Sequence, residues 1–243
     1  MGYVITIAAH KGGVGKTTVA TNLAAVLSER TRTVLWDCDF QANATMSYGI
    51  DPDTTEGRSV YDVLHGDVTP SQVMISLTRQ LALVPSNDDL AAFDLEFHEA
   101  TVLRSIVSRQ EGIQILDTPP SLSLLGVNTM VAADLVLVIA QLRRFGVRGT
   151  IKYVQRLREI NPRARILILP TFAHRAKVSS STALQEIRRW AQGEGIPVSP
   201  YVIPERMALE NAQAFSGRPH VWVRRDDLTL NFQQLAEEVG WNE

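Results

Sequence analysis

The chain of 243 residues carries 24 Lys and Arg against 26 Asp and Glu, a formal net charge of −2, with 45% hydrophobic residues. This balance leaves no gross charge to recruit nucleic acid or a lipid surface, so such a partner must be met by a local patch. A lone cysteine, Cys38, excludes an internal disulfide and any multi-cysteine cluster, and with no signal-like start and no apolar run near the roughly 20 residues of a spanning helix, the expectation is a soluble, intracellular protein.

In chain order, residues 3–9 form an apolar, β-rich run, as a buried parallel strand should. It leads into Lys11, Gly12, Gly13, Val14, Gly15, Lys16, Thr17 and Thr18. Such glycines let backbone N–H groups close around phosphate oxygens; Lys16 meets the β- and γ-phosphates, and the Thr17 hydroxyl is a Mg²⁺ ligand. Counted back from Lys16, the first glycine position of this loop is Ala9, and Lys11 adds a second cation within it. Val19, Leu23, Val26 and Leu27 then recur at helical spacing, predicting a helix over 15–30 whose N-terminus faces the anion.

A second strand over 33–37 runs into Asp37-Cys-Asp39-Phe-Gln-Ala-Asn-Ala-Thr45. Beside a phosphate loop, one carboxylate can help hold the Mg²⁺ shell and the other can orient the attacking water; alone, the same pair reads as solvated turn acids or the cap of a helix at 42–48. Residues 51–80 are rich in Asp, Thr, Pro and Gly and read as a surface excursion with a short helix near Val60–His65. Further strands are predicted over 81–84, 113–117, 134–140, 165–170 and 198–203, with helices near 99–109, 121–131, 147–160, 180–192, 205–215 and 227–239. The strand at 113–117 ends on Asp117, before Thr118-Pro-Pro-Ser, where the prolines turn the chain out of the sheet. The alternation predicts an α/β fold: a three-layer, mostly parallel, twisted sheet flanked by helices, in one domain over 1–243.

Two later segments bear on partners. Between Arg143 and Arg165 eight cations face one acid, and Arg148, Lys152 and Arg156 share a helix face. That face reads either as a backbone-phosphate contact or as a solvated surface. The C-terminal stripe Leu228, Phe232, Leu235 and Val239 comes with acids and no Lys or Arg over 228–243, which suits a helix packed on the domain better than a basic membrane anchor. His10 and His174 have no neighbours at metal-ligand spacing.

The segments K-G-G-V-G-K-T-T, D-C-D-F-Q-A-N-A-T and L-D-T-P-P-S-L, with V-A-A-D after them, resemble the ParA/MinD family of deviant-Walker P-loop ATPases, closest to its ParA (Soj-like) DNA-partition branch, over about residues 1–145. The resemblance implies ATP and Mg²⁺ as cofactors, with the phosphate loop from Lys11 to Thr18 and Pro204 around the nucleotide. It implies Thr17 on Mg²⁺, Asp117 supporting the ion through water and Asp37 as a further candidate, and Asp39 positioning the hydrolytic water. Lys11 would reach across a homodimer formed on ATP to the partner's nucleotide. Thr171 and Ile203-Pro204 resemble the loops on the adenine side. The partners implied are non-specific double-stranded DNA and a ParB-like stimulating protein, in the cytoplasm at the nucleoid, with no stable membrane association. Candidate DNA contacts are Arg148, Lys152, Arg156, Arg188, Arg189 and Arg206. Phe40 stands where partition members carry proline. A MinD-like or cargo-positioning switch and a metabolic P-loop enzyme are the alternatives.

Overall fold

A computed structural model describes residues 2–119, 122–143, 146–173, 178–204 and 217–240. Strands and helices follow in the order β1 (Tyr3–Ala8), α1 (Lys16–Leu27), β2 (Thr33–Asp37), α2 (Asn43–Met46), α3 (Val60–His65), α4 (Pro70–Val73), β3 (Ile75–Ser76), β4 (Leu81–Val84), α5 (Phe93–Glu96), α6 (Val102–Val107) and β5 (Ile113–Asp117). The remainder is α7 (Leu124–Ala132), β6 (Leu135–Gln141), α8 (Gly146–Ile160), β7 (Arg165–Ala173), α9 (Val178–Gly193), β8 (Ile203–Pro204), α10 (His220–Val223) and α11 (Asp227–Val239). The strands lie in one sheet in the order β3-β4-β2-β5-β1-β6-β7-β8. All pairings are parallel except that of β3 with β4.

The period of two along each strand divides the core. Ile5, Ile7, Leu35, Ile115, Leu137 and Leu169 pack with Val19, Leu23 and Leu27 of α1 and with Leu228, Phe232, Leu235 and Val239 of α11. On the opposite face, Val136, Val138 and Ile168 meet Val154 and Leu157 of α8 and Ile187 of α9. Val34, Trp36 and Leu116 meet Val60, Leu103 and Leu125 of α3, α6 and α7. Helices therefore cover both faces, and the expected three-layer arrangement is what forms.

β1 sits between β5 and β6. The chain leaves β1 toward β2 on one side, whereas it leaves β6 toward β7 on the other. This is a topological switch point, the place where a crevice opens at the carboxyl edge of a parallel sheet. The phosphate loop leaves the carboxyl end of β1 at this crevice.

Differences from the expected elements are local. The helix expected over 99–109 shortens to Val102–Val107, and Ile75–Ser76 adds an antiparallel edge strand that the turn-rich composition concealed. The strand expected over 198–203 reduces to one bridge at Val198 and the pair Ile203–Pro204, because a strand at the sheet edge has a partner on one side only. The helix expected over 205–215 lies outside the described residues.

The C-terminal stripe is fully buried against α1, and no helix among the described residues is long and apolar enough to cross a membrane. Phe232→Ala should remove about 3–5 kcal/mol of stability, read as a fall in the denaturant midpoint, and should leave liposome flotation unchanged.

Candidate active site

Gly13 and Gly15 take positive φ, 66° and 96°, conformations in which a Cβ is strained. Gly15 caps α1 without a side-chain hydrogen bond, and the first helical turn holds no acidic residue. The free N–H groups and positive end of the helix thus point toward the loop unopposed. Lys16 is only 7% exposed, Lys11 is half-buried, and Gly12 and Gly13 lie open to solvent. One cation of the loop is therefore folded inward, while the other sits at its rim.

The loop is held from several sides. The Thr118 hydroxyl donates to Ile7 O at 2.8 Å, and the Thr171 hydroxyl donates to Val14 O at 3.2 Å. The His10 ring lies so close to Gly149 of α8 that a Cβ there would meet Nε2 at 2.4 Å. Phe172 follows in a left-handed conformation, φ 57°, of the strained kind that concentrates at functional sites. Its ring reaches the Gly15 side of the loop, with the Arg143 guanidinium 5.9 Å from its centroid.

Asp39 and Asp117 lie within the field of Lys16, and Asp37 lies beside both of them. The parallel register of β2 and β5 sets Asp37 directly across from Asp117, and both are fully buried. Asp37 Oδ2 accepts from Thr45 N at 2.8 Å and Thr45 Oγ1 at 2.7 Å, and its Oδ1 accepts from Asp39 N at 3.3 Å. Asp117 Oδ2 accepts from the Thr17 hydroxyl at 2.6 Å, whereas Oδ1 has no partner among the described residues. Asp39, also buried, accepts from Gln41 N at 3.1 Å.

Burial pushes the Asp117 carboxyl above its ordinary range, and the neighbouring Asp37 adds to this while Thr17 and Lys16 oppose it. Burial likewise raises Asp37, against the hydrogen bonds from Thr45 and Asp39. Asp39 is raised by burial and pulled back by the Gln41 amide and by Lys16. Burial and the three surrounding carboxylates raise the Cys38 thiol, which leaves it an inert core group.

The structure thus brings together Lys16, Thr17, Asp39 and Asp117, with Lys11 at the rim. Asp37, expected as a further metal candidate, has both oxygens engaged by Thr45 and Asp39. Thr45 had no role assigned from the sequence, since nothing marks a threonine eight residues beyond an aspartate as its partner. Pro204 is half-buried on β8, next to the carboxyl end of β7. Arg148, Lys152, Arg188 and Arg189 are exposed on α8 and α9. Arg156 is paired with Glu159 at 2.6 Å, and Arg158, from the same basic run, with Glu194 at 2.7 Å. Arg206 and His174 lie outside the described residues.

Three raised carboxyls mean that folding takes up protons. The nucleotide-free protein should lose stability as pH rises from the ordinary carboxylate range through neutrality. Asp117→Asn should flatten that slope and raise the melting temperature above that of the wild-type protein at neutral pH. A differential scanning series across pH checks both.

A family model described as "AAA domain" (AAA_31) matches residues 2–168. The chromosome partitioning protein ParA of Myxococcus xanthus is 34% identical over 238 residues, covering 90% of this chain and 81% of that protein. The chromosome-partitioning ATPase Soj of Thermus thermophilus is 32% identical, covering 97% of this chain and 94% of that one. Among solved structures, apo McdA of Cyanthece superposes with a TM-score of 0.87 at 24% identity, over 99% of this chain and 100% of that one; at that identity the likeness is one of fold. Cobyrinic acid a,c-diamide synthase of Mycobacterium smegmatis, with bound ADP and magnesium, gives a TM-score of 0.81 at 28% identity, over 98% and 93%. From the match over most of its length and these relatives, the chain belongs to the ParA/MinD family of P-loop ATPases, with the ParA and Soj partitioning proteins among its relatives.

Proposed function

We propose that the chain, acting as one P-loop ATPase domain over 1–243, is a Mg²⁺-ATP-dependent partition switch. In this reading it dimerises on ATP, binds double-stranded DNA without sequence preference, and is released when a ParB-like partner stimulates hydrolysis. The observation that carries it is the division of labour between two lysines of one loop: Lys16 is buried among the carboxylates, while Lys11 stands at the rim. A rim lysine suits the charge of a nucleotide held by a second copy of the chain, which would couple hydrolysis to dimerisation.

The residues fit the nucleotide and the ion. The amides of Gly12 to Thr18 and the Lys16 ammonium take the β- and γ-phosphates, and Pro204 lies on the base side. The Thr17 hydroxyl and the Asp117 oxygen that has no partner among the described residues would hold Mg²⁺, which when bound would neutralise phosphate charge. Asp39 orients the attacking water. The attacking water has no strong base beside it and the stimulating partner is absent, so unstimulated turnover should be slow.

Exposed Arg148 and Lys152 on α8, with Arg188 and Arg189 on the adjacent α9, offer cations for backbone phosphates. Arg156 contributes less, because Glu159 already offsets its charge; Arg206 remains a candidate contact. The relatives named ParA and Soj support segregation of a chromosome or plasmid, and hence a place at the nucleoid. A membrane-cycling role loses support from the buried C-terminal stripe.

Gel shifts test the reading. DNA should be retarded with ATP, released without it, and not retarded by Lys16→Ala. Lys11→Ala should lose both hydrolysis and the ATP-dependent dimer, seen as a monomer by light scattering. Wild-type binding that ignores ATP would overturn the partition reading, and hydrolysis that requires a small-molecule acceptor would point instead to a metabolic enzyme.

A further inference from the structure

The two buried carboxylates at the carboxyl edge of β2 and β5 are used differently. Asp117 keeps one oxygen without a partner among the described residues. Asp37 has none to spare: Oδ2 takes the amide and hydroxyl of Thr45, and Oδ1 takes the Asp39 amide. A carboxylate has about four lone-pair sites, so three donors leave Asp37 one, on the Oδ1 that the Asp39 amide already holds, whereas Asp117 Oδ1 has no donor among the described residues.

The Thr45 hydroxyl continues the chain of bonds. While donating to Asp37 it accepts from Ser86 N at 3.0 Å, just beyond β4. The segment between, residues 38–45, enters α2 through Ala42 in a left-handed conformation, φ 50°. That strained backbone persists only where its surroundings over-determine it. Asp37, Thr45 and Ser86 N are the fixed points at the far end of the segment, and the Asp37–Asp39 amide bond is the fixed point at the near end.

We infer that Asp37 is a positioning residue and not a metal ligand: through Thr45 it clamps α2 between β2 and β4 and so sets where the Asp39 carboxylate stands beside Lys16. This rests on the reading of the chain as a Mg²⁺-ATP hydrolase in which Asp39 orients water. It assigns Thr45 to the same task, as the residue through which Asp37 acts.

The test separates metal binding from turnover. For wild type, Asp37→Asn, Thr45→Val, Thr45→Ser and Asp117→Asn, the Mg²⁺ midpoint of the ATP-dependent rise in melting temperature is measured beside turnover at saturating Mg²⁺-ATP and proteolytic cleavage within 38–45. Asp37→Asn and Thr45→Val should keep the Mg²⁺ midpoint within about twofold, lose roughly 10- to 100-fold in turnover, and be cleaved faster in the segment. Thr45→Ser, which retains the hydroxyl, should restore turnover and protection, and Asp117→Asn should move the midpoint. A midpoint moved as far by Asp37→Asn as by Asp117→Asn overturns the inference, as does wild-type turnover in Thr45→Val. If Asp37→Asn does not fold, the Thr45 pair decides. If the wild-type protein hydrolyses no ATP, the functional reading fails, while the Mg²⁺ midpoint and the cleavage pattern still judge Asp37.

Discussion

Parallel pairing of β2 with β5 forces Asp37 and Asp117 side by side, out of water, at the carboxyl edge of the sheet. Two buried like charges are costly unless each is met by donors or by an opposite charge. The fold meets them separately, Asp37 with Thr45 and Asp117 with Thr17 and Lys16. The arrangement around the phosphate loop follows from that separation. It leaves one acid structurally engaged and the other with one oxygen that has no partner among the described residues.

The loop itself is tied to its surroundings by contacts that a glycine-rich segment could not make alone. Thr118 holds its entry at Ile7, Thr171 holds Val14, and His10 is seated on Gly149. The last contact places the phosphate loop directly against α8, the helix whose outer face carries Arg148 and Lys152. With a close-packed interior, a shift at one end of such a contact must be taken up at the other. The site and the basic surface are therefore parts of one packed body, joined where the His10 ring lies against Gly149.

Much of this was legible in the sequence. Unbroken apolar runs such as 135–140 identify strands buried on both faces, and the helical recurrence of Leu228, Phe232, Leu235 and Val239 identifies a face that must be covered. The convergence of Lys16, Thr17, Asp39 and Asp117 was legible because the loop after β1 and the acids ending neighbouring strands must meet at the carboxyl edge of a parallel sheet. Thr45 was not, since its role comes from a turn through a left-handed Ala42 that no local pattern announces. The pairing of Arg156 with Glu159 and of Arg158 with Glu194 was equally hidden in the second case, because Glu194 lies on the loop after α9, far along the chain.

The sequence by itself determined the alternation of strands and helices, the phosphate loop with its two lysines, and the set of carboxylates at strand ends. These are local, because periodicity and glycine placement act over a few residues. Only the tertiary structure decided which carboxylate keeps an oxygen without a partner among the described residues, which lysine is buried and which cations pair with an acid. Those outcomes depend on register across the sheet and on side chains from distant segments competing for the same donors, and neither is encoded in any single stretch of chain.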